Sequence, residues 1–224
     1  MKVLELGCGN GALWKENYDR IPQNVSVLLN DISEGMLRDT RRELEELQSG
    51  YEMGTNVDFD YVTFDCHQIP CKDSAFDLVI ANHLLFYCAD IPAVLQEVRR
   101  VLKKGGTFIC STYGKKHMRE ITELVQTFHS QISLSAEALY DHFGMENGKF
   151  ILQEYFGSVT STIYDDELVV TKPEPLIEYI LSCHGNQNQY ILDRYKDFRG
   201  FVEKKTKKGF HITKAAGIFS CKKM

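Results

Sequence analysis

Apolar and polar positions in the first half of the chain follow two alternating periods. Short apolar runs end at Leu6, Leu29, Phe64 and Ala81, and another follows Gly106. These runs predict buried strands. Between them, apolar residues recur at helical spacing over 33–48 and 90–102. Such alternation is typical of an α/β fold with a doubly wound, mainly parallel sheet, in which ligands bind at the carboxyl ends of the strands.

Capping residues mark where two of these helices begin and end. Asp90 precedes a proline in the first turn, and Ser33 precedes the helix that runs to about Gln48. Both are favoured N-cap residues. Lys103 and Lys104 are expected in the last turn of the second helix, with Gly105 as its left-handed cap.

A glycine-rich turn follows the first apolar run and carries most of the chemical information. Gly7, Gly9 and Gly11 alternate directly after Leu6, so a ligand meets few side chains there. Gly7, Gly9 and Ala12 also satisfy the relaxed dinucleotide fingerprint, Gly-x-Gly-x-x-Ala. Glu5 separates the two interpretations, because a carboxylate opposes a pyrophosphate and attracts a cation. At an effective dielectric near 20 one close Coulomb interaction is worth roughly 4 kcal/mol, so the sign of the ligand's charge decides between them.

Acidic residues end the next two strands at a spacing that fits this site. Asp31 ends the second apolar run about twenty residues beyond the glycines, and Asp65 ends the third. With the glycine turn, the 69–81 segment and the 98–108 segment, the pattern resembles the class I S-adenosylmethionine-dependent methyltransferases, of the methyltransferase type 11-like kind. The resemblance covers roughly the first half of the chain and implies S-adenosylmethionine as cofactor.

The resemblance assigns roles by position. Asp31 accepts the ribose hydroxyls, Ile32 and Met36 pack on the adenine, and Asp65 with Cys66 holds the adenine amino group and ring nitrogen. The full set of expected cofactor-binding residues is Glu5, Gly7, Cys8, Gly9, Asp31, Ile32, Met36, Asp65, Cys66, Ala81 and Asn82.

The resemblance also implies a Rossmann-like, seven-stranded sheet with an antiparallel last strand and helical lid insertions. We expect one domain over 1–224, with a core at 1–114, lid insertions at 115–147 and 165–208, and segments 148–164 and 209–224 completing the core. Helices are predicted at 117–131, 135–143, 149–156, 173–183 and 188–205, and strands at 158–164 and 210–221.

A sulfonium methyl is already activated, so positioning alone can supply roughly 7 to 11 kcal/mol and a general base is optional. No catalytic residue is evident. His83 and Tyr87, after the fourth strand, are candidates, and His117 is a third. For His83 and Tyr87, structural roles are favoured over catalysis: a histidine packed beside the sheet and a tyrosine that closes the pocket. The loop typical of adenine and glutamine amino methyltransferases is replaced by Asn82-His83-Leu84-Leu85. Pro70-Cys71 matches the nucleophile motif of RNA cytosine-C5 methyltransferases in letters only, because it follows the third strand and not the fourth. A covalent cysteine mechanism is therefore not expected.

The leading hypothesis is therefore methyl transfer to a nitrogen, oxygen or carbon atom of a small metabolite. The alternative is a non-catalytic S-adenosylmethionine-binding scaffold that acts through a partner protein. A nicotinamide oxidoreductase and a macromolecule methyltransferase remain as minor hypotheses.

Composition narrows the partners without choosing a function. The 224 residues carry a formal net charge of -5 and a pI near 5.8, which argues against a nucleic-acid surface. The seven cysteines contain no Cys-x-x-Cys pair, which indicates a reducing cytoplasm. No metal site is expected, and the cluster of Cys66, His67 and Cys71 is interpreted as pocket wall and loop. No membrane-length apolar run is present. We expect a cytoplasmic monomer or homodimer.

The first strand begins almost at Met1, whereas similar proteins have one or two helices before it that close over the cofactor. The sequence therefore predicts either a longer native chain or an unusually open pocket.

Overall fold

A computed structural model describes residues 1–50, 57–135 and 138–224 of the chain. Within these residues, seven strands form one sheet in the order β3-β2-β1-β4-β5-β7-β6. The strands are β1 (Lys2–Leu6), β2 (Val25–Asn30), β3 (Val57–Val62), β4 (Phe76–Asn82), β5 (Leu102–Tyr113), β6 (Ser158–Val170) and β7 (Phe210–Lys222). The first five are parallel, and the C-terminal strands are antiparallel. The Rossmann-like fold class predicted from the sequence is thus confirmed.

The helices of the described residues alternate with the strands in the first half and cluster in the second. They are α1 (Ala12–Lys15), α2 (Glu34–Gly50), α3 (Ile91–Val101), α4 (Arg119–Phe128), α5 (Leu139–His142), α6 (Gly148–Gln153), α7 (Pro173–Ser182), α8 (Gln187–Ile191) and α9 (Tyr195–Thr206), with 3₁₀ turns at Tyr18–Arg20, Leu85–Tyr87 and Leu192–Arg194. None of the described helices is both long and apolar enough to span a bilayer.

Both predicted N-caps are confirmed. The Asp90 carboxylate accepts the Ala93 N–H at 3.0 Å, and the Ser33 hydroxyl accepts the Met36 N–H at 3.3 Å. These side chains satisfy helix-end donors that would otherwise have no partner.

Several predicted boundaries in the chain are wrong. Helix α3 ends at Val101, so Lys103 and Lys104 lie in β5, where the Lys103 Nζ pairs with the Asp77 carboxylate at 2.7 Å. Gly105 does take a left-handed φ of 75°, but inside β5 and not as a helix cap. Strand β5, which pairs with β4, begins at Leu102. This pairing ends the helix before the two lysines that the sequence assigns to its last turn.

The second half differs more from the prediction. Strand β6 continues to Val170, well beyond the predicted end at 164, and the single helix expected over 188–205 is divided into α8, a 3₁₀ turn and α9. Helix α4 is shorter than expected, and of the helix predicted at 135–143 only Leu139–His142 is helical, while 136–137 lie outside the described residues. Short polar segments carry weak periodicity, so these boundaries depend on tertiary packing.

The chain divides into two compact units. The first comprises Met1–Thr112, Asn147–Thr162 and Ile218–Met224, and the second comprises Tyr113–Glu146 and Ile163–Gly217. The core of the second unit is an apolar cluster from α4, α7, α8 and α9, centred on fully buried Val125, Ile180 and Phe198. The lid role expected for the insertions stays a prediction.

The core of the first unit positions the strand ends. Val27 and Leu29 on β2 are fully buried and pack in one cluster with Leu44 of α2 and Trp14 of α1. Burying each such side chain stabilises the fold by about 1.5–3 kcal/mol. Because β1 pairs with both β2 and β4, Glu5 lies beside Leu29 and Ile80. The carboxyl ends of β1, β2 and β4 therefore meet at one edge.

Candidate active site

The loop after β1 has the glycine-dependent backbone that its sequence predicts. Gly7, Gly9 and Gly11 have φ values of 66°, 55° and 71°, which lie in the left-handed region that other residues avoid. The Cys8 N–H donates to the Asn30 carbonyl at 2.8 Å and thereby ties the loop to the end of β2. A Cβ built on Gly9 meets no atom within 4 Å, so space is open above the turn.

Asp31 fixes this loop from the end of β2. Its Oδ2 accepts the Gly9 N–H at 2.9 Å, and its Oδ1 accepts the Ser33 N–H at 2.9 Å. The Thr40 hydroxyl donates to the Gly9 carbonyl at 2.8 Å from α2. The carboxylate is thus held in place by backbone donors, with further lone pairs left for a ligand.

Glu5 lies beneath the turn and is only 2% exposed. Its Oε2 accepts the Trp14 indole N–H at 2.5 Å, and its Oε1 accepts the Asn82 amide at 3.4 Å. Burial raises the pKa of Glu5 to about 7, against the opposing effect of these two hydrogen bonds. Glu5 is therefore a carboxyl group that gains its negative charge only near neutral pH.

In the segment that follows β3, the Asp65 carboxylate contacts both the backbone N–H and the ring of His67. The Asp65 Oδ1 accepts the His67 N–H at 2.9 Å and contacts the His67 Nδ1 at 2.5 Å. These hydrogen bonds lower the pKa of Asp65, and the contact with Asp65 raises the pKa of His67. The Asp90 N–H donates to the other ring nitrogen, Nε2, at 3.3 Å. Asp65 is consequently ionised at neutral pH.

A cavity of about 200 Å³ opens between these groups. Its lining consists of Gly7, Asn30, Asp31, Ile32, Phe64, Asp65, Cys66, His67, Leu84, Tyr87 and Cys88. Two of these side chains are carboxylates, and no lysine or arginine occurs among the described residues of the lining. Ile32 and Tyr87 are 73% and 70% exposed, so they offer apolar surface that a planar ligand can cover.

Five of the eleven predicted cofactor residues line this cavity, namely Gly7, Asp31, Ile32, Asp65 and Cys66. The other six do not. Glu5, Cys8 and Ala81 are buried, Gly9 and Asn82 are bonded to Asp31 and Glu5 respectively, and Met36 is half-exposed in the first turn of α2.

Sequence reasoning missed part of the lining. Phe64 and His67 flank the predicted Asp65-Cys66 pair, and that adjacency is a signal that could have found them. Leu84 and Cys88 follow β4 in an irregular segment, where no periodicity predicts which side chains face the cavity.

The weak catalytic candidates have different surroundings. His83 has a left-handed φ of 48°, and its backbone N–H donates to the Ser111 hydroxyl at 3.1 Å. Partial burial lowers the pKa of His83, so its imidazole is neutral at pH 7 and can accept a proton. The Tyr87 ring lines the cavity and lies 4.7 Å from the Phe86 ring. In the second unit, the His117 ring lies 5.2 Å from the Tyr113 ring.

Asp65, Cys66 and His67 place three possible metal-ligand atoms within 4.8 Å of one another, and Cys71 is not among them. Both ring nitrogens of His67 already have hydrogen-bond partners, the Asp65 carboxylate and the Asp90 N–H. We therefore interpret this cluster as a hydrogen-bonded part of the cavity wall.

Comparison with protein families decides between the cofactor classes, because residues 4–110 match the methyltransferase domain family. Residues 4–110 are therefore a methyltransferase domain of this family, in a fold shared with class I S-adenosylmethionine-dependent methyltransferases. The matched segment holds the glycine turn, Asp31, Asp65 and every residue of the cavity lining. The implied cofactor is S-adenosylmethionine.

Curated relatives share this methyltransferase segment. A malonyl-[acyl-carrier protein] O-methyltransferase of Nitrosospira multiformis is 32% identical over 54% of this chain and 41% of its own length. A demethylmenaquinone methyltransferase of Symbiobacterium thermophilum is 34% identical over 53% of this chain and 45% of its own length. The chain thus spans about half the length of the curated relatives it matches.

A solved structure shows the same methyltransferase fold over the full chain. The SAM-dependent methyltransferase of Aquifex aeolicus superposes with a TM-score of 0.57 at 12% identity, and the match covers 100% of this chain and 82% of that one.

Proposed function

We propose that this methyltransferase transfers a methyl group from S-adenosylmethionine to a nitrogen, oxygen or carbon atom of a small-molecule acceptor. The observation that supports the proposal most strongly is the charge of the cavity. Asp31 and Asp65 line it, and among its described lining residues no lysine or arginine is present. Such a surface favours a cationic nucleoside and opposes the pyrophosphate of a dinucleotide.

Four groups of this chain are assigned to holding the cofactor. Asp31 accepts from the ribose hydroxyls, since the Gly9 and Ser33 N–H groups keep its carboxylate oriented. Asp65 accepts from the adenine amino group, while Ile32 and Tyr87 cover the ring with side chains that are otherwise exposed. When bound, the cofactor supplies a methyl group already activated by its sulfonium.

Glu5 acts through its charge from beneath the glycine turn. A cation bound above the turn would favour the ionised carboxylate, so it would lower the pKa of Glu5 from about 7 and release the proton. Trp14 and Asn82 keep the two carboxylate oxygens in position during this change.

Proton removal from the acceptor is assigned to the segment after β4. His83 is neutral at pH 7 and suits an acceptor hydroxyl or an enolisable carbon, and Tyr87 offers a second polar group on the cavity itself. An amine acceptor needs neither group once it is uncharged.

The names of the curated relatives bear on the acceptor. One is described as an O-methyltransferase acting on malonyl-[acyl-carrier protein], and another methylates demethylmenaquinone. Oxygen acceptors and extended, partly apolar molecules are therefore reasonable first substrates, free or carried on a protein.

The test is incubation with S-adenosylmethionine labelled in its methyl group, followed by separation of a metabolite extract. We expect a labelled small product with the wild-type chain and a strongly reduced yield with Asp31→Ala. Tight binding of S-adenosylhomocysteine without turnover on any extract, together with a stable partner in pull-down, would instead favour a non-catalytic scaffold.

A further inference from the structure

Two cysteine thiols face each other in the wall of the cavity. The Cys66 Sγ lies 3.7 Å from the Cys88 Sγ, although the residues are 22 positions apart and follow different strands. Cys66 is half-buried and Cys88 is buried, and both line the cavity. A disulfide bond is about 2.0 Å long, so the sulfur atoms need to approach by under about 2 Å.

The two thiols are not equivalent. The hydrogen bond between them lowers the pKa of Cys66, against the opposing effect of burial, and raises the pKa of Cys88 well above its usual range. Burial raises the pKa of the other five cysteines, Cys8, Cys71, Cys110, Cys183 and Cys221. Thiolates are the reactive form, so Cys66 is the cysteine of this chain most disposed to react with an oxidant.

We propose that Cys66 and Cys88 form a redox-active dithiol that closes to a disulfide with a two-electron oxidant such as hydrogen peroxide, and that the disulfide and a ligand in the cavity exclude each other. Ligand exclusion rests on the cofactor placement proposed above. Disulfide formation does not.

The chemistry balances with the oxidant named. The Cys66 thiolate attacks one peroxide oxygen, an S–O bond forms, the O–O bond breaks, and hydroxide leaves and takes up a proton as water. The Cys88 sulfur then loses its proton and attacks the Cys66 sulfenic acid. An S–S bond forms, the S–O bond breaks, and a second water leaves. In total two thiols lose two electrons and two protons, and one peroxide becomes two waters.

Exclusion follows from where the thiols lie. Cys66 stands between Asp65 and His67, whose side chains are bonded to each other and line the same cavity. Drawing the Cys66 sulfur toward Cys88 therefore disturbs the segment that carries the Asp65 carboxylate. Conversely, a ligand that fills the cavity covers the half-buried Cys66 and blocks access of the oxidant.

The experiment maps oxidation in the reduced, ligand-free chain, with a chelator present so that bound metal neither protects nor catalyses. Trypsin leaves Cys66 and Cys71 in one peptide, residues 43–72, and Cys88 alone in residues 73–99. The mapping is therefore done in a Cys71→Ser background, which also serves as the matched control. After hydrogen peroxide we expect the two peptides joined, and separated again by dithiothreitol.

Cys88→Ser removes the second thiol. We expect it to give no joined peptide and to accumulate oxygen on Cys66. Failure of the peptides to join in the Cys71→Ser chain, or a link from Cys66 to any cysteine other than Cys88 in the wild-type chain, overturns the dithiol.

Exclusion is measured separately, by calorimetry and by oxidation rate with S-adenosylhomocysteine. At 100 times its Kd the ligand leaves about 1% of the sites free, so oxidation should slow about 100-fold. The oxidised chain should bind it at least tenfold more weakly until it is reduced. Binding without any protection overturns the exclusion. No binding to the reduced chain counts against the proposed function, and the peptide map still decides the dithiol.

Discussion

The Trp14 indole N–H donates to the Glu5 carboxylate at 2.5 Å, and this bond links the first helix to the first strand beneath the glycine turn. Trp14 is itself buried and contacts Phe59 of β3 edge-to-face, with ring centroids 5.7 Å apart. The indole therefore holds an acid in an apolar setting. That setting is the reason for the raised pKa of Glu5.

Glu5 should make stability depend on pH. Its pKa is about 7 in the folded chain and 4.5 in the unfolded one, so the folded state binds the proton more tightly. The stabilisation is fully present below pH 4.5 and is lost as pH rises to about 7, a loss of about 3 kcal/mol. Glu5→Gln keeps an acceptor for Trp14 and removes the charge. The free energy of unfolding of Glu5→Gln, relative to that of wild type, should therefore rise between pH 5 and pH 8.

Urea unfolding at each pH measures this difference, with the exposed Glu46→Gln of α2 as the control that stays parallel to wild type. Parallel curves for Glu5→Gln and wild type would show that Glu5 ionises normally.

Glu5 also shows how far the sequence alone could lead. The apolar run before Gly7 predicts β1, and the alternation of Gly7, Gly9 and Gly11 predicts the left-handed turn, because both signals are local. The position of Glu5 at the strand end follows as well. Its burial and its bond to Trp14 do not, since they depend on how α1 packs against the sheet.

The same distinction applies to the cavity. Asp31 and Asp65 were predicted because acids at the ends of parallel strands meet at one edge. Cys88 was not, because its approach to Cys66 depends on the irregular segment after β4. Likewise, the end of α3 at Val101 is set by pairing of β5 with β4, which the helical pattern of the lysines does not reveal.

Asp31→Ala should weaken the binding of S-adenosylhomocysteine by roughly 1.5–3 kcal/mol, because hydrogen bonds to a charged acceptor are lost. This corresponds to roughly a 10- to 150-fold rise in Kd, measured by calorimetry. Asp39→Ala removes an exposed acid of α2 that pairs with Arg42 and serves as the matched control. Unchanged affinity for Asp31→Ala would place the ribose elsewhere.

Two glycines of the turn should respond differently to alanine. Gly9 has a left-handed φ and open space around a Cβ. Backbone strain alone should therefore lower the free energy of unfolding of Gly9→Ala by about 1–2 kcal/mol. At Gly11 a Cβ would also lie 2.5 Å from the Thr40 Cγ2, which adds about 1–3 kcal/mol of overpacking.

Chemical denaturation ranks the two variants. Gly200→Ala, inside α9 and with no atom near a Cβ, is the control and should gain about 0.5–1 kcal/mol. Equal losses at Gly9 and Gly11 would mean that Thr40 moves aside without penalty.

Arg100 should be the residue of α3 on which the segment after β3 depends. Its guanidinium donates to the Ile69 carbonyl at 2.8 Å, to the Cys71 carbonyl at 2.7 Å and to the Asp73 carboxylate at 2.8 Å, while Glu97 accepts two further bonds. Because lysine cannot reproduce this planar fork, both Arg100→Ala and Arg100→Lys should lower the free energy of unfolding, by about 2–3 kcal/mol for alanine. As a control, Arg99→Ala at the exposed neighbouring position should change the free energy of unfolding by under about 0.5 kcal/mol.

The segment that Arg100 holds also carries Asp65 and Cys66, so Arg100→Ala should weaken the binding of S-adenosylhomocysteine in calorimetry. A loss of stability with unchanged affinity would show that the cavity wall keeps its shape without the Arg100 hydrogen bonds.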